Sequence, residues 1–236
     1  RKRVFIDDGQ DRHSETPCDV LIDHNVYGSA RPYVRRVKTG TKVLAGPRYA
    51  MTSPEFLRAR NKGFRINPKI RKILLSVGGG DCPDHAQKLL GLIAQNARHV
   101  EVLFITPRKT GWEVLEGPLP GGSFCRIVHA PPDVAAVMRS VDLAISATGV
   151  TCLELACVGL PAIYVSLASN QDKGARAVET YGIGFNLGRP TGWMEMKFRK
   201  LYRMLEKPSV RGTLSQKALK LVDGKGTTRI CRVLEI

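Results

Sequence analysis

The chain has 236 residues, and its 37 Lys and Arg against 21 Asp and Glu leave a formal charge of +16. With 43% hydrophobic and 25% charged residues, it has the composition of a folded protein of one or two domains with a real core. No run approaches the roughly 18–20 apolar residues of a membrane span, and collagen, coiled-coil and disulfide-miniprotein classes are excluded as well.

In chain order, VFIDD (4–8) and CDVLID (18–23) read as short strands whose C-terminal ends carry Asp, and KVLAG (42–46) as a third. SPEFLRAR (53–60) opens a helix with a Ser cap, Pro at the first helical position and an early Glu. The polar, basic stretch 61–72 reads as a linker, dividing a partial N-terminal Rossmann-like domain (1–66) from a second domain (67–236) whose last helix crosses back. A regular alternation follows. KILLSV (72–77), EVLFIT (101–106), CRIVHA (125–130), DLAISA (142–147) and PAIYVSL (161–167) read as buried strands. Helices are expected over 83–97, 132–140, 148–159 and roughly 170–181, with a Gly/Pro-rich loop at 117–123. Two or three amphipathic segments close the chain between Trp193 and Leu234. Such alternation implies an α/β protein with a doubly wound parallel sheet.

The charge is uneven. Net values are +10 over residues 1–72, −2 over 73–188 and +8 over 189–236. Basic flanks of this kind read as a solvated surface, or as one that attracts an anionic small substrate. Aromatic residues make up only 6%, and no RNA-binding signature is present, so nucleic acid is the weakest reading. The six cysteines form no CxxC pair and no ligand spacing with the histidines, which leaves no metal expected and reduced core thiols of a cytoplasmic protein.

Ligands of doubly wound sheets bind beyond the carboxyl ends of the strands, and three loops there can do chemistry. SVGGGD places Gly78, Gly79 and Gly80 after a buried strand, where backbone amides can approach an anion or simply turn the chain. In SATGVTCLELACVGLP, Thr148 and Gly149 stand between strand and helix, so the helix N-terminus faces the crevice and suits a diphosphate. Thr151 adds a hydroxyl on the first turn. Glu154 lies one turn further in, where its carboxylate either accepts from ribose hydroxyls or is solvated. In SLASNQDKGA, Asn170 and Gln171 serve a ligand or cap a helix.

Together GPRYA (46–50), SVGGGD (76–81), ATGVTCLELACVGLPAIYV (147–165) and LASNQ (167–171), preceded by FIDDGQDRHSETPCDVLIDHN, resemble the nucleotide-sugar hydrolases of pseudaminic acid biosynthesis. These are UDP-2,4-diacetamido-2,4,6-trideoxy-β-L-altropyranose hydrolases, and the resemblance covers nearly the whole chain. It implies a glycosyltransferase B fold with UDP-sugar in a cleft between two Rossmann-like domains. Uridine and diphosphate would be gripped by Gly78–Gly80, Thr148, Gly149, Thr151 and Glu154. Asn170 and Gln171 would lie near diphosphate and sugar, and Tyr49 would reach in from the other domain.

The implied reaction is metal-free hydrolysis that releases UDP and free sugar, by a monomer without cofactors. That family's base is a His in a G-x-G-H-x-x-R loop, which the 236 residues lack; their histidines are His13, His24, His85, His99 and His129. The expectation is an incomplete chain, or a divergent protein that binds without hydrolysing. A glycosyltransferase or spore-coat polysaccharide protein would use the same grip, as would a non-catalytic nucleotide-sugar-binding module.

Overall fold

The computed structural model describes residues 2–9, 17–78, 83–106, 111–190 and 194–235. Gly79, Gly80, Cys82 and His13 lie outside them. Three short parallel strands, β1 (Val4–Ile6), β2 (Val20–Asp23) and β3 (Lys42–Ala45), form one sheet in that order. The second sheet has seven strands: β4 (Lys72–Ser76), β5 (Glu101–Thr106), β6 (Gly117–Leu119), β7 (Ser123–His129), β8 (Leu143–Ala147), β9 (Ala162–Val165) and β10 (Phe185–Gly188). Their order is β10-β9-β8-β4-β5-β7-β6, and every pairing is parallel except β6 with β7. The helices are α1 (Pro54–Asn61), α2 (Pro83–Asn96), α3 (Val134–Arg139), α4 (Val150–Val158), α5 (Asp172–Thr180), α6 (Met194–Leu205), α7 (Pro208–Leu221) and α8 (Gly226–Leu234).

The alternation of β4 decides which helices lie on which face. Ile73 and Leu75 point to a core shared with Leu89 and Ile93 of α2 and Phe198 and Leu205 of α6. Leu74 points the other way, to Phe56 of α1, Met138 of α3 and the apolar side of α4. Helices on both faces force both sides of the central strands to be apolar, which is why KILLS and LAISA read as unbroken runs. Cys125, Cys152 and Cys157 are buried there as free thiols, and burial pushes Cys152 up to about 12.

Two elements depart from expectation. The stretch 117–123 is not a plain loop, because Gly117–Leu119 forms an antiparallel strand. It sits at the sheet edge, where Pro118 removes no ladder bond that the sheet needs. Residues 185–188 form β10 at the opposite edge, and the sequence reading placed no strand there.

The stretch 61–72 is tied down by buried groups at its end. Asp142 accepts from Asn67 Nδ2 (2.6 Å) and from the amides of Arg71 (2.7 Å) and Lys72 (2.9 Å). Arg211, fully buried, donates to the carbonyls of Leu205, Asn67 and Pro68. On α1, Arg60 donates to Cys157 O (3.3 Å), Val222 O (3.0 Å) and Leu219 O (2.8 Å). These carbonyls end α4 and α7, where helices leave acceptors without intrahelical partners. At the other end of the chain, Ile230, Val233 and Leu234 of α8 pack on Val20, Ile22 and Leu44 of the small sheet.

Candidate functional site

From β4 the seven-stranded sheet grows through β5 and β7 on one side and through β8 and β9 on the other. Neighbouring strands β4 and β8 therefore send their connections in opposite directions, and a crevice opens at their carboxyl ends. Gly78 follows β4, and Thr148 and Gly149 follow β8 into α4. Gly149 is extended (φ −167°), a conformation open to any residue, and a Cβ there would meet no atom within 4 Å. Internal packing makes no demand for glycine at this position. Its missing side chain leaves the first amides of α4 approachable from outside, and helix N-termini attract anions.

Thr148 and Gln171 brace the loops around that opening. The Thr148 hydroxyl donates to Gln171 O (2.9 Å), and Gln171 Oε1 accepts from the Leu167 amide (2.8 Å). The Thr148 hydroxyl and the Gln171 side-chain oxygen are thus engaged with the protein, and the Gln171 side chain does not cap α5. Asn170 is exposed beside them.

The first turn of α4 is the common wall of two cavities. One, of about 340 Å³, is bounded by Leu74, Ile105, Val134 and Met138, with Gly78, Thr151 and Glu154 also on its surface. Burial pushes the Glu154 carboxyl above the ordinary carboxylate range and nearby Glu55 adds to this, whereas a hydrogen bond with Thr151 works against it. The other cavity, of about 350 Å³, has Thr148, Gly149, Asn170 and Gln171 on one side and Asp8, His24 and Asn25 on the other. The ten expected site residues are thus distributed. Gly78, Thr151 and Glu154 line the first cavity, while Thr148, Gly149, Asn170 and Gln171 line the second. Gly79 and Gly80 are outside the described residues. Tyr49 lines neither cavity, because its turn (47–49) packs it among Val20, Ile22, Leu44 and Ile230.

The small-sheet wall is built by carboxylates at strand ends. The Tyr33 hydroxyl lies 3.0 Å from Asp7 Oδ2 and 3.2 Å from Asp23 Oδ2, sharing its proton between two buried acids. Asn25 Nδ2 donates to Asp23 Oδ1 (2.9 Å) and Asp8 O (3.0 Å). This lattice holds His24 in the wall with 9% of its surface exposed. Burial lowers the His24 pKa, against the pull of Asp23 and Asp8. His24 is not among the ten site residues expected from the sequence, and spacing along the chain does not say which cavity it borders. His129, at the end of β7, borders neither of the two. Among the described residues, no group of three or more His, Cys, Asp or Glu is placed to hold a metal, and no helix is long and apolar enough to cross a membrane.

No family model matches the chain. MurG of Acinetobacter baumannii superposes with a TM-score of 0.63 over 92% of this chain and 66% of that one, at 15% identity. The fold is glycosyltransferase B-like. A second glycosyltransferase B-like match, SsfS6 of Streptomyces sp. SF2575, complexed with thymidine diphosphate, gives 0.50 over 92% of this chain and 52% of that one, at 17% identity. By sequence, the chain is 26% identical over 226 residues to the spore coat polysaccharide biosynthesis protein SpsG of Bacillus subtilis (strain 168). That match takes in 92% of this chain and 64% of SpsG, so the chain spans less than two thirds of the relative. The resemblance drawn from the sequence is met at the level of fold.

Proposed function

We propose that the chain binds a nucleoside-diphosphate sugar across both cavities and serves glycosyl transfer in polysaccharide assembly. The observation that carries this reading is the first turn of α4 standing between the two cavities. A ligand that fills both lays its middle on a helix N-terminus, and in a nucleotide sugar the middle is the diphosphate. The apolar cavity suits the nucleoside, with the base against Leu74, Ile105 and Met138 and the ribose hydroxyls donating to Glu154. The polar cavity is left for the sugar. SpsG, named for polysaccharide biosynthesis, and SsfS6, bound to thymidine diphosphate, support the reading.

Hydrolysis of a UDP-linked diacetamido-trideoxy sugar, the reaction implied by the sequence motifs, would use the same grip. SpsG is named for polysaccharide biosynthesis, and because building a polysaccharide requires glycosyl transfer, transfer is the reading put first. Calorimetry with UDP and thymidine diphosphate tests the site. Glu154→Gln should weaken either nucleotide by about 1.5–3 kcal/mol, the worth of a charged hydrogen bond, and leave pyrophosphate unaffected. Equal weakening of nucleotide and pyrophosphate contradicts the ribose role, and no binding by the unaltered protein removes the reading. Product analysis separates the reactions, since transfer needs an acceptor and hydrolysis liberates sugar without one.

A further inference from the structure

The polar cavity is chemically two-ended. Its α4 end offers backbone N–H groups and the positive pole of a helix. Its small-sheet end offers acceptors, the Asp8 carboxylate and the His24 ring, and no Lys or Arg is among the described residues that line it. The Asn25 side-chain amide is turned away from this role, its Nδ2 donating to Asp8 O and Asp23 Oδ1. A ligand matched to this cavity carries its anionic group toward α4 and hydrogen-bond donors toward β1 and β2.

One acceptor is singled out by its environment. His24 Nδ1 is buried and has no hydrogen-bond partner among the described residues. Buried polar atoms are nearly always paired, and one left unpaired on a cavity wall calls for a partner from outside the protein. We propose that His24 recognises the sugar half of the nucleotide sugar, Nδ1 accepting a hydrogen bond from a sugar hydroxyl or acetamido N–H. This inference rests on the nucleotide-sugar reading of the site. In the proposed contact the ring turns about Cβ–Cγ and presents Nδ1 to the cavity of which it already forms part. No bond to the sugar is made or broken.

The contact is pH-dependent, since only the neutral ring accepts. The charged groups around His24 are Asp23 on β2 and Asp8 beyond β1, with the α4 N-terminus opposite. From α5, Lys173 lies 6.0 Å from the ring of Tyr27, which shares the cavity. Burial outweighs the two carboxylates and keeps the ring neutral at pH 7.5. Acidification charges it, turns Nδ1 into a donor and removes the bond.

The test is calorimetry on the full chain with UDP, UDP-glucose and UDP-N-acetylglucosamine, at pH 7.5 and 5.5. The unaltered protein should bind at least one sugar nucleotide more tightly than UDP at pH 7.5, and that preference should shrink at pH 5.5, by less than the roughly tenfold that an unburied histidine would lose, because burial lowers the pKa of this ring. His24→Phe, with its fold checked by circular dichroism, should lose the preference and keep UDP affinity within about threefold. His24→Gln, whose amide oxygen accepts without titrating, should keep part of the preference and lose its pH dependence. A preference that survives in His24→Phe, or that does not vary with pH in the unaltered protein, overturns the proposal. The same holds if UDP binds and neither sugar adds affinity. If UDP itself fails to bind, the nucleotide-sugar reading falls and this inference with it.

Discussion

Replacing Arg60 by Met keeps the aliphatic stem against α1's surroundings and removes the guanidinium that ends two helices at once. Three carbonyls lose their donor: Cys157 O near the end of α4, and Leu219 O and Val222 O at the end of α7. Bonds from a charged donor are worth about 1.5–3 kcal/mol each when fully buried. Arg60 is only partly buried, and the 3.3 Å bond is long, so about 1 kcal/mol per bond is the better figure, or about 3 kcal/mol in all. For a chain of this size each kcal/mol moves Tm by roughly 2–4 °C, which gives a fall of roughly 6–12 °C. Thermal unfolding followed by circular dichroism reads this directly. Arg58→Met, on the exposed side of the same helix, is the control and should move Tm by less than about 2 °C. Arg60→Lys, with the charge but not the planar fork, should fall between. An Arg60→Met protein as stable as the control would refute the idea that α1 holds the ends of α4 and α7.

Two further substitutions separate binding from folding. Gly149→Ala adds a methyl group that meets no protein atom, so Tm should stay within about 1 °C while UDP affinity drops at least tenfold; unchanged affinity would mean that no ligand approaches α4 there. Tyr164→Phe deletes a buried hydroxyl with no partner among the described residues. Urea denaturation should show unchanged or higher stability, by up to about 1 kcal/mol, and a clear loss would reveal a bond that this hydroxyl makes.

The parallel sheet was legible because its central strands are buried on both faces, so they stand out as apolar runs between helices of ordinary period. The edges were not. In FNLG of β10 only Leu187 is buried, and GPL of β6 reads as a turn, since edge strands need neither apolar alternation nor every amide. At the site, the glycine entry to α4 announced itself by its place between strand and helix. The division of Thr151 and Glu154 from Thr148 and Gly149 into two cavities depends on what faces each side of one helical turn, and spacing along the chain does not say that. Tyr49 stands within a motif that the resembled family turns toward the ligand, and its packing beside Ile230, far along the sequence, is a contact that no local spacing announces.

That packing has a consequence for the order in which the molecule takes shape. The sheet of β1, β2 and β3 leaves the ribosome ahead of the larger sheet, yet Val20, Ile22 and Leu44 are covered by Ile230, Val233 and Leu234, which are translated after every strand of that larger sheet. Gly226 begins the covering helix so close to the backbone of Ala50 that a Cβ would collide with it, and no bulkier start could dock there. Domains that fold during synthesis usually close from the N-terminus onward. This sheet cannot. Until α8 arrives its apolar face stays open to chaperones and to other nascent chains, so ribosome-stalled chains that end before residue 226 should bind a hydrophobic dye that chains carrying α8 exclude.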